Sequence, residues 1–455
     1  MSAAIDVPSS ERLPFLRGRS TAATVLAMIR NPLEALPPEV FVEPVVFTRT
    51  AGRTQVFLSD PTLIHEALVK NADALGKGEN VRRALGPALG KGLLTADGAH
   101  WKWQRQAVAG AFRYDKLVEL QPAMIAAAEV TRDRLLETNG AALDIGHEMM
   151  RTTFDIIVET MMSGGHGIDV GKVEQGITDY LRPSGWTFAL AMLGLPEWVP
   201  FPGRGKAREA VAFLRSSLAR VIATRRKTPD ERFDLVSMLL SASDPETGRS
   251  MSDDEIVDNL MTFITAGHET TALGLAWTFH LLARHPEYEA KVLEEIAAVT
   301  EGQPLRAEHV ARLNYTKQVF SEAMRLYPPA PIITRTALRD FRLGAFTIPA
   351  GTNLHVPIYA VHHHVSLWPN PETFQPDRFA PDAAKDRHRY AYMPFGAGPR
   401  VCIGNAFAIM EAVAILAVIL PAVRLANPSA ARPKAIMKVT LRPKERLLMT
   451  VQARA

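Results

Sequence analysis

One cysteine in 455 residues excludes an intramolecular disulfide, so nothing in the chain requires an oxidising compartment, and a cytoplasmic location is expected. No apolar run reaches the ~20 residues that a membrane-spanning helix needs. The N-terminus MSAAIDVPSSERLPFLRGRS also lacks the apolar segment of a secretory signal. Internal repeats, low-complexity tracts and long blocks of like charge are missing too. Lys plus Arg number 52 against 48 Asp plus Glu, a mildly basic balance that demands no nucleic-acid partner. What is present in quantity is apolar surface. Apolar residues make up 47% of the chain and charged residues 22%, the composition of a soluble globular protein with a large core.

Residues 1–38 read as an irregular lead-in, and 39–455 as one compact unit without a clear linker. Val45 to Leu58 is β-branched and aromatic-rich around Ala51-Gly52, the pattern of a hairpin. Helical spacing then dominates to Gly248, broken by glycine- and proline-rich segments at 76–92 and 193–205 that read as long loops. Ser252-Asp-Asp-Glu255 is a capping box opening an apolar helix that runs to about Arg284, where His285-Pro286 stops it. At roughly 33 residues such a helix is about 50 Å long and must cross the core. A second helix ends near Thr300, and another spans Ala307 to Tyr327 before Pro328-Pro329. Short strands follow over 332–357, with turns at Gly344 and Pro349-Ala350-Gly351. Asn405 to Leu420 is a final apolar helix, and Val439 to Gln452 reads as a closing hairpin. The fold class is mainly α with small β-sheets (α+β).

The cysteine sits in MPFGAGPRVCIGNAFA, Met393 to Ala408, just before that final helix, whose free N–H groups and dipole favour a thiolate. Glycines at 396, 398 and 404 let the backbone turn tightly and approach a flat ligand. A lone sulfur with no Cys or His spaced nearby cannot complete a tetrahedral zinc site. A haem, by contrast, brings its own equatorial nitrogens and needs an axial ligand. The spacing Phe395, Gly398, Arg400, Cys402, Gly404 resembles the haem-binding loop of the cytochrome P450 superfamily. That resemblance implies that Cys402 is the proximal thiolate of haem b, that Phe395 packs beside the sulfur, and that Arg400 pairs with a haem propionate.

Three more blocks follow the family's order. Glu322-Ala-Met-Arg325 matches its E-x-x-R and, with Arg378 of Pro376-Asp-Arg-Phe379, implies a structural triad that supports the haem loop. An i,i+3 ion pair taken alone is most often a surface feature. Ala266-Gly-His-Glu-Thr-Thr-Ala272 cannot be H-E-x-x-H, because residue 272 is Ala. It resembles the family's oxygen-activation motif: Gly267 lets the helix pass close to the haem, Thr270 bonds the Ala266 carbonyl and opens the turn for dioxygen, and Glu269 relays protons. Trp101 and Arg105, four apart on one helix face, and Arg335 match positions that reach haem propionates. The histidines 362–364 read as structural or surface. Met161-Met162 and Trp186, Trp198 and Phe201 read as core packing, with a substrate route as the alternative.

The resemblance implies a helical prism with haem between the long central helix and the cysteine loop, and a monooxygenase driven by dioxygen. The segments 76–96 and 181–201, with Phe263, Ala266, Ile332, Ile333 and Thr334, are expected to line an apolar pocket. They point to a lipophilic substrate of fatty-acid, terpenoid or aromatic type. Electrons are expected from a separate ferredoxin or flavodoxin with its NAD(P)H-dependent reductase. The competing readings are a peroxide-using or isomerising haem-thiolate enzyme and a non-enzymatic haem gas sensor.

Overall fold

The computed structural model describes residues 15, 20–163, 170–227, 234–244, 247–427 and 432–454. The organising element is the helix Asp253–Leu282, opened by the Ser252/Glu255 capping box that its sequence announces. From Ala272 to Leu282 every residue is buried, as a helix apolar on all faces must be. It packs most extensively against Ile145–Met162, and further against Arg204–Lys227 and Asn314–Leu326. The approach to Ile145–Met162 is close: a Cβ on Gly267 would lie 2.8 Å from Ile157 Cδ1.

The main sheet runs, in spatial order, Val45–Thr50, Arg53–Leu58, Asn353–Val356, Ile333–Ala337, Leu75–Gly76. Its first two strands form the expected hairpin. Thr50 pairs with Arg53, and the connecting Ala51 and Gly52 have φ of 50° and 76°, as a two-residue primed turn requires. No helix among the described residues is long and apolar enough to cross a membrane.

Four expectations need correction. The lead-in is helical over Thr21–Arg30, where the Ser20 side chain accepts the Ala23 N–H and the helix packs on Ser184–Met192. Its partner is distant in sequence, so the lead-in alone gave no sign of it; residues 1–14 and 16–19 lie outside the described residues. The 76–92 segment holds the helix Glu79–Leu89, flanked by Gly78 and Gly90 and containing Pro87. Its glycines bound a helix rather than a loop, and tertiary contact with Ser184–Met192 supports it. The single helix expected over 307–327 is two, Ala307–Val310 and Asn314–Leu326. The break is set by the Glu295 carboxylate, which accepts the N–H groups of Tyr315 and Thr316 at 2.6 and 2.8 Å and starts the second helix anew. Finally, 439–452 is not a hairpin. Leu441–Pro443 pairs with Ala435–Met437, while Leu448–Ala453 lies between Val423–Ala426 and Ala142–Asp144. Strands of the right character thus take partners outside the segment.

Candidate functional site

The cysteine loop is built on two glycines in the left-handed region, where side chains are strained. Gly396 and Gly398 have φ of 77° and 69°, and a Cβ on Gly398 would lie 2.0 Å from the Leu68 carbonyl oxygen. The loop is closed by the Cys402 N–H donating to the Phe395 carbonyl at 2.9 Å. Gly404 differs: its φ is −87° at the start of Asn405–Ile419, and a Cβ there would meet Phe112 at 3.7 Å and the sulfur at 4.0 Å. Nothing in the protein itself therefore demands a glycine at 404. Burial pushes the Cys402 thiol up, against the Gly404 N–H and the Arg105 charge, which pull it down. The helix start alone does not make the thiolate expected from sequence. A thiol bound to a metal is deprotonated by it. The side chain nevertheless exposes surface, so it lines an internal space.

The central helix shows the matching feature. In a segment flanked by buried residues, Phe263, Ala266 and Thr270 are half-buried or exposed, spaced i, i+3, i+7, which is one helix face; Thr265 and Gly267 are half-buried beside it. Phe263 stacks on Phe112 at 5.6 Å between ring centroids, and Phe112 reaches Gly404, so this face and the cysteine loop border the same space. Thr270 Oγ1 donates to the Ala266 carbonyl at 2.7 Å, as expected. Gly267 differs from expectation, because its missing Cβ faces Ile157, and its small size serves helix packing.

Glu269 is buried, 3% exposed. Its Oε1 accepts from Thr440 Oγ1 at 2.9 Å and from Arg442 Nη2, while its Oε2 has no hydrogen-bond partner. A relay open to solvent was expected; the carboxylate is instead held by an ion pair from the C-terminal sheet. Arg442 and Thr440 were missed, and no local signal could have found them, since they lie more than 170 residues further along.

Trp101 and Arg105 lie on the helix Gly98–Ala109. The Trp101 ring stacks under the Arg400 guanidinium, 4.2 Å away, worth about 0.5–2 kcal/mol where partly desolvated. Arg400 donates to Asp97 Oδ1 at 2.5 Å and to the Ala96 carbonyl at 2.8 Å. Arg335 donates to the Thr334 carbonyl. Its guanidinium is pushed down to about 10 by burial and by the Arg400 charge. Arg105, half-buried, is lowered by burial and raised by Cys402.

The expected triad is assembled. Arg325 and Glu322 are both 0% exposed, with Arg325 Nε to Glu322 Oε2 at 2.7 Å and Nη2 to Oε1 at 2.8 Å. Arg378 Nε stands 3.5 Å from Glu322 Oε1. The remaining Arg325 donors reach the carbonyls of His362, Pro371 and Thr373. The histidine triplet is buried rather than at the surface. His362 Nε2 accepts the Met393 N–H at 3.0 Å, so this histidine ties the triad directly to the cysteine loop.

Ile333 sits beside that loop, its Cδ1 3.3 Å from where a Cβ on Gly396 would be. Ile332 packs against the small cluster around Val40 and Phe57. Thr334 turns to the other side of its strand, with Oγ1 3.1 Å from His355 Nδ1, so it does not join Ile333 in one wall. Met161 and Met162 are buried in the main core, whereas Trp198 is 73% exposed.

Residues 39–450 match the family model of cytochrome P450. The chain is 34% identical to cyclooctatin synthase of Streptomyces melanosporofaciens, over 88% of this chain and 87% of that one. It is also 34% identical to cyclooctat-9-en-7-ol 5-monooxygenase of the same organism, covering 88% and 86%. Identity to pentalenene oxygenase of Streptomyces avermitilis is 30%, covering 94% of each. Among solved structures, the haem domain of cytochrome P450DA superposes with a TM-score of 0.80 at 27% identity, over 90% of both chains. The chain therefore belongs to the cytochrome P450 family, with its mainly helical fold and small sheets. It is one of that family's monooxygenases.

Proposed function

We propose that residues 39–455 act as one unit that would bind haem b through the Cys402 thiolate and insert one atom of dioxygen into a terpenoid-type lipophile. The observation that carries this is a juxtaposition: a surface-exposing sulfur on a tight glycine loop, a cationic cluster beside it, and one uncovered face of the central helix opposite. The residues present fit the group. A flat macrocycle with two carboxylates suits a face of small and aromatic side chains bordered by Arg105, Arg335 and Arg400; among the described residues Asp97 is the carboxylate beside Arg335 and Arg400.

Haem held by a thiolate supplies dioxygen activation, with electron density pushed from sulfur toward iron. The chain's share is positioning and proton control. Arg105, Arg335 and Arg400, the last braced by Trp101 and Asp97, would hold the propionates. Phe395, through its carbonyl, holds the Cys402 backbone. Thr270 carries a hydroxyl bonded to the Ala266 carbonyl and would orient a proton donor there. Glu269, through its unpartnered Oε2, would accept and pass protons. Phe263, Ala266, Ile332 and Ile333 offer apolar contact, which supports a lipophilic substrate, and the names of the three relatives favour a cyclic terpenoid over a fatty acid or an aromatic compound. A ferredoxin or flavodoxin with its reductase would supply electrons.

The test is spectroscopic. The reduced, carbon monoxide-bound protein should show the red-shifted Soret band of thiolate ligation, lost in Cys402→His. Cyclic terpenoids should convert the ferric spectrum from low to high spin, and the enzyme should oxidise them with a ferredoxin system. An unshifted Soret band would overturn the haem-thiolate reading. Oxidation driven by peroxide but never by the electron-transfer system would overturn the dioxygen reading in favour of a peroxygenase.

A further inference from the structure

Glu269 is held from a part of the chain that lies outside every motif considered above. Thr440 and Arg442 belong to the hairpin in which Ala435 pairs with Pro443, Ile436 with Arg442 and Met437 with Leu441. That hairpin is tied down on two further sides. The Asn31 side chain accepts the Met437 N–H at 2.9 Å and donates to the Ala435 carbonyl at 3.5 Å. The Leu441 N–H donates to the Pro329 carbonyl at 2.9 Å, just before the strand Ile333–Ala337. The donors that meet Glu269 thus stand on a frame built from both ends of the chain and from its main sheet.

The carboxylate is anchored unevenly. Its Oε1 accepts from the Thr440 hydroxyl at 2.9 Å and from Arg442 Nη2, and these two donors lie 3.4 Å from each other. Its Oε2 is buried with no hydrogen-bond partner. With the Arg442 side chain 22% exposed and that of Glu269 3%, this is not a solvent-screened surface pair. A glutamate left to itself samples several rotamers. Here a hydroxyl and a charged guanidinium, both on the hairpin frame, select one. Thr270, next in sequence, already donates its own hydroxyl proton to the Ala266 carbonyl. Oε2 is therefore the atom of Glu269 left to exchange protons.

We propose that Arg442 and Thr440 are positioning residues for proton delivery: they hold Oε1 so that Glu269 acts as a fixed relay, its Oε2 taking a proton from solvent and passing it toward the site at Thr270. The inference rests on the relay reading of Glu269 above. Each transfer returns the carboxylate to its starting charge, since the proton that leaves Oε2 replaces none on Oε1, and Arg442 stays ionised throughout. A carboxylate that had to swing would need these donors to let go, because a hairpin tied to Asn31 and Pro329 cannot follow it.

The experiment compares haem-loaded wild type, Arg442→Met, Arg442→Lys and Thr440→Val, using a cyclic terpenoid that the wild type oxidises with the ferredoxin system. In Arg442→Met the product formed per reducing equivalent should fall roughly tenfold, as for a misplaced proton carrier. The solvent deuterium isotope effect on product formation should rise, while the substrate concentration that half-completes the spin shift stays at the wild-type value. Thr440→Val should move the same way by less. Arg442→Lys should recover most of the yield, because a single nitrogen, Nη2, meets Glu269. Independently of turnover, urea unfolding of Glu269→Leu, Arg442→Met and the double variant should depart from additivity by roughly tenfold in the unfolding constant. Wild-type yield and isotope effect in Arg442→Met would overturn the proposal, as would strict additivity in unfolding or a loss that lysine does not repair. A higher yield in Arg442→Met would replace the fixed relay by a pair that has to open. Glu269→Leu with the yield of the wild type would sink the relay reading itself, and this inference with it.

Discussion

Arg325 uses every donor it has. Its five N–H groups go to both oxygens of Glu322 and to the carbonyls of His362, Pro371 and Thr373, at 2.7 to 3.0 Å. Its guanidinium carbon also lies 5.0 Å from the Trp368 ring centroid. Arg325→Lys offers a compact ammonium with three donors, which cannot span these acceptors. Arg325→Met leaves Glu322, 0% exposed, with only the Gln375 N–H at 3.0 Å and the looser Arg378 contact. Removing one partner of a buried pair costs about 3–5 kcal/mol, against a total stability of about 5–15 kcal/mol. Urea unfolding followed by tryptophan fluorescence should read that loss, since Trp368 reports on the site directly. The double variant Glu322→Met/Arg325→Met should lose less than the two single variants combined, because neither charge is then stranded. A cost below about 1 kcal/mol for Arg325→Lys, or strict additivity in the double variant, would refute the view that this buried pair is the anchor of the cysteine loop.

Gly398→Ala should be among the most damaging single-methyl changes: a left-handed alanine costs about 1–2 kcal/mol, and overlap with the Leu68 carbonyl adds about 1–3 kcal/mol. The check is the haem content and melting temperature of the purified variant. Stability should fall on acidification. Burial holds His280 and His355 down at about 4, below an unfolded value of about 6.5, so the unfolded chain binds more protons as pH drops. Their contribution is complete above about pH 6.5 and is lost as pH falls toward about 4, up to about 3 kcal/mol for the buried His280. Melting curves across that window test it, and His280→Asn should flatten the dependence. Thr270→Ala should change stability little, because its hydroxyl bonds only a local carbonyl, while raising the fraction of reducing equivalents lost to peroxide; simultaneous assay of peroxide and product decides. Asp258→Ala should loosen the segment after Glu79–Leu89, because Asp258 accepts the Lys91 N–H at 2.8 Å and pairs with Arg215 at 2.6 Å. Faster proteolysis near residue 91 would show it.

Local chemistry was legible where a residue's role is set by its neighbours in sequence. The capping box at Ser252, the Ala51-Gly52 turn, the Gly396 and Gly398 conformations and the Thr270 bond to Ala266 all involve atoms within a few residues of one another. Their geometry follows from backbone sterics and from short-range hydrogen bonding. The lone cysteine between glycines, and its spacing from Arg400, belong to the same class.

What only the folded chain decided is which distant groups meet. The Thr21–Arg30 helix, the helix at 79–89 and the pairing of Leu448–Ala453 depend on partners far away in sequence, and marginal local propensity yields to such burial. The same holds for charge. Glu269 is answered by Arg442, and the methyl space at Gly267 belongs to Ile157 rather than to a cofactor. A charge's partner is fixed by three-dimensional proximity, and proximity across hundreds of residues is a property of packing that one-dimensional spacing does not encode.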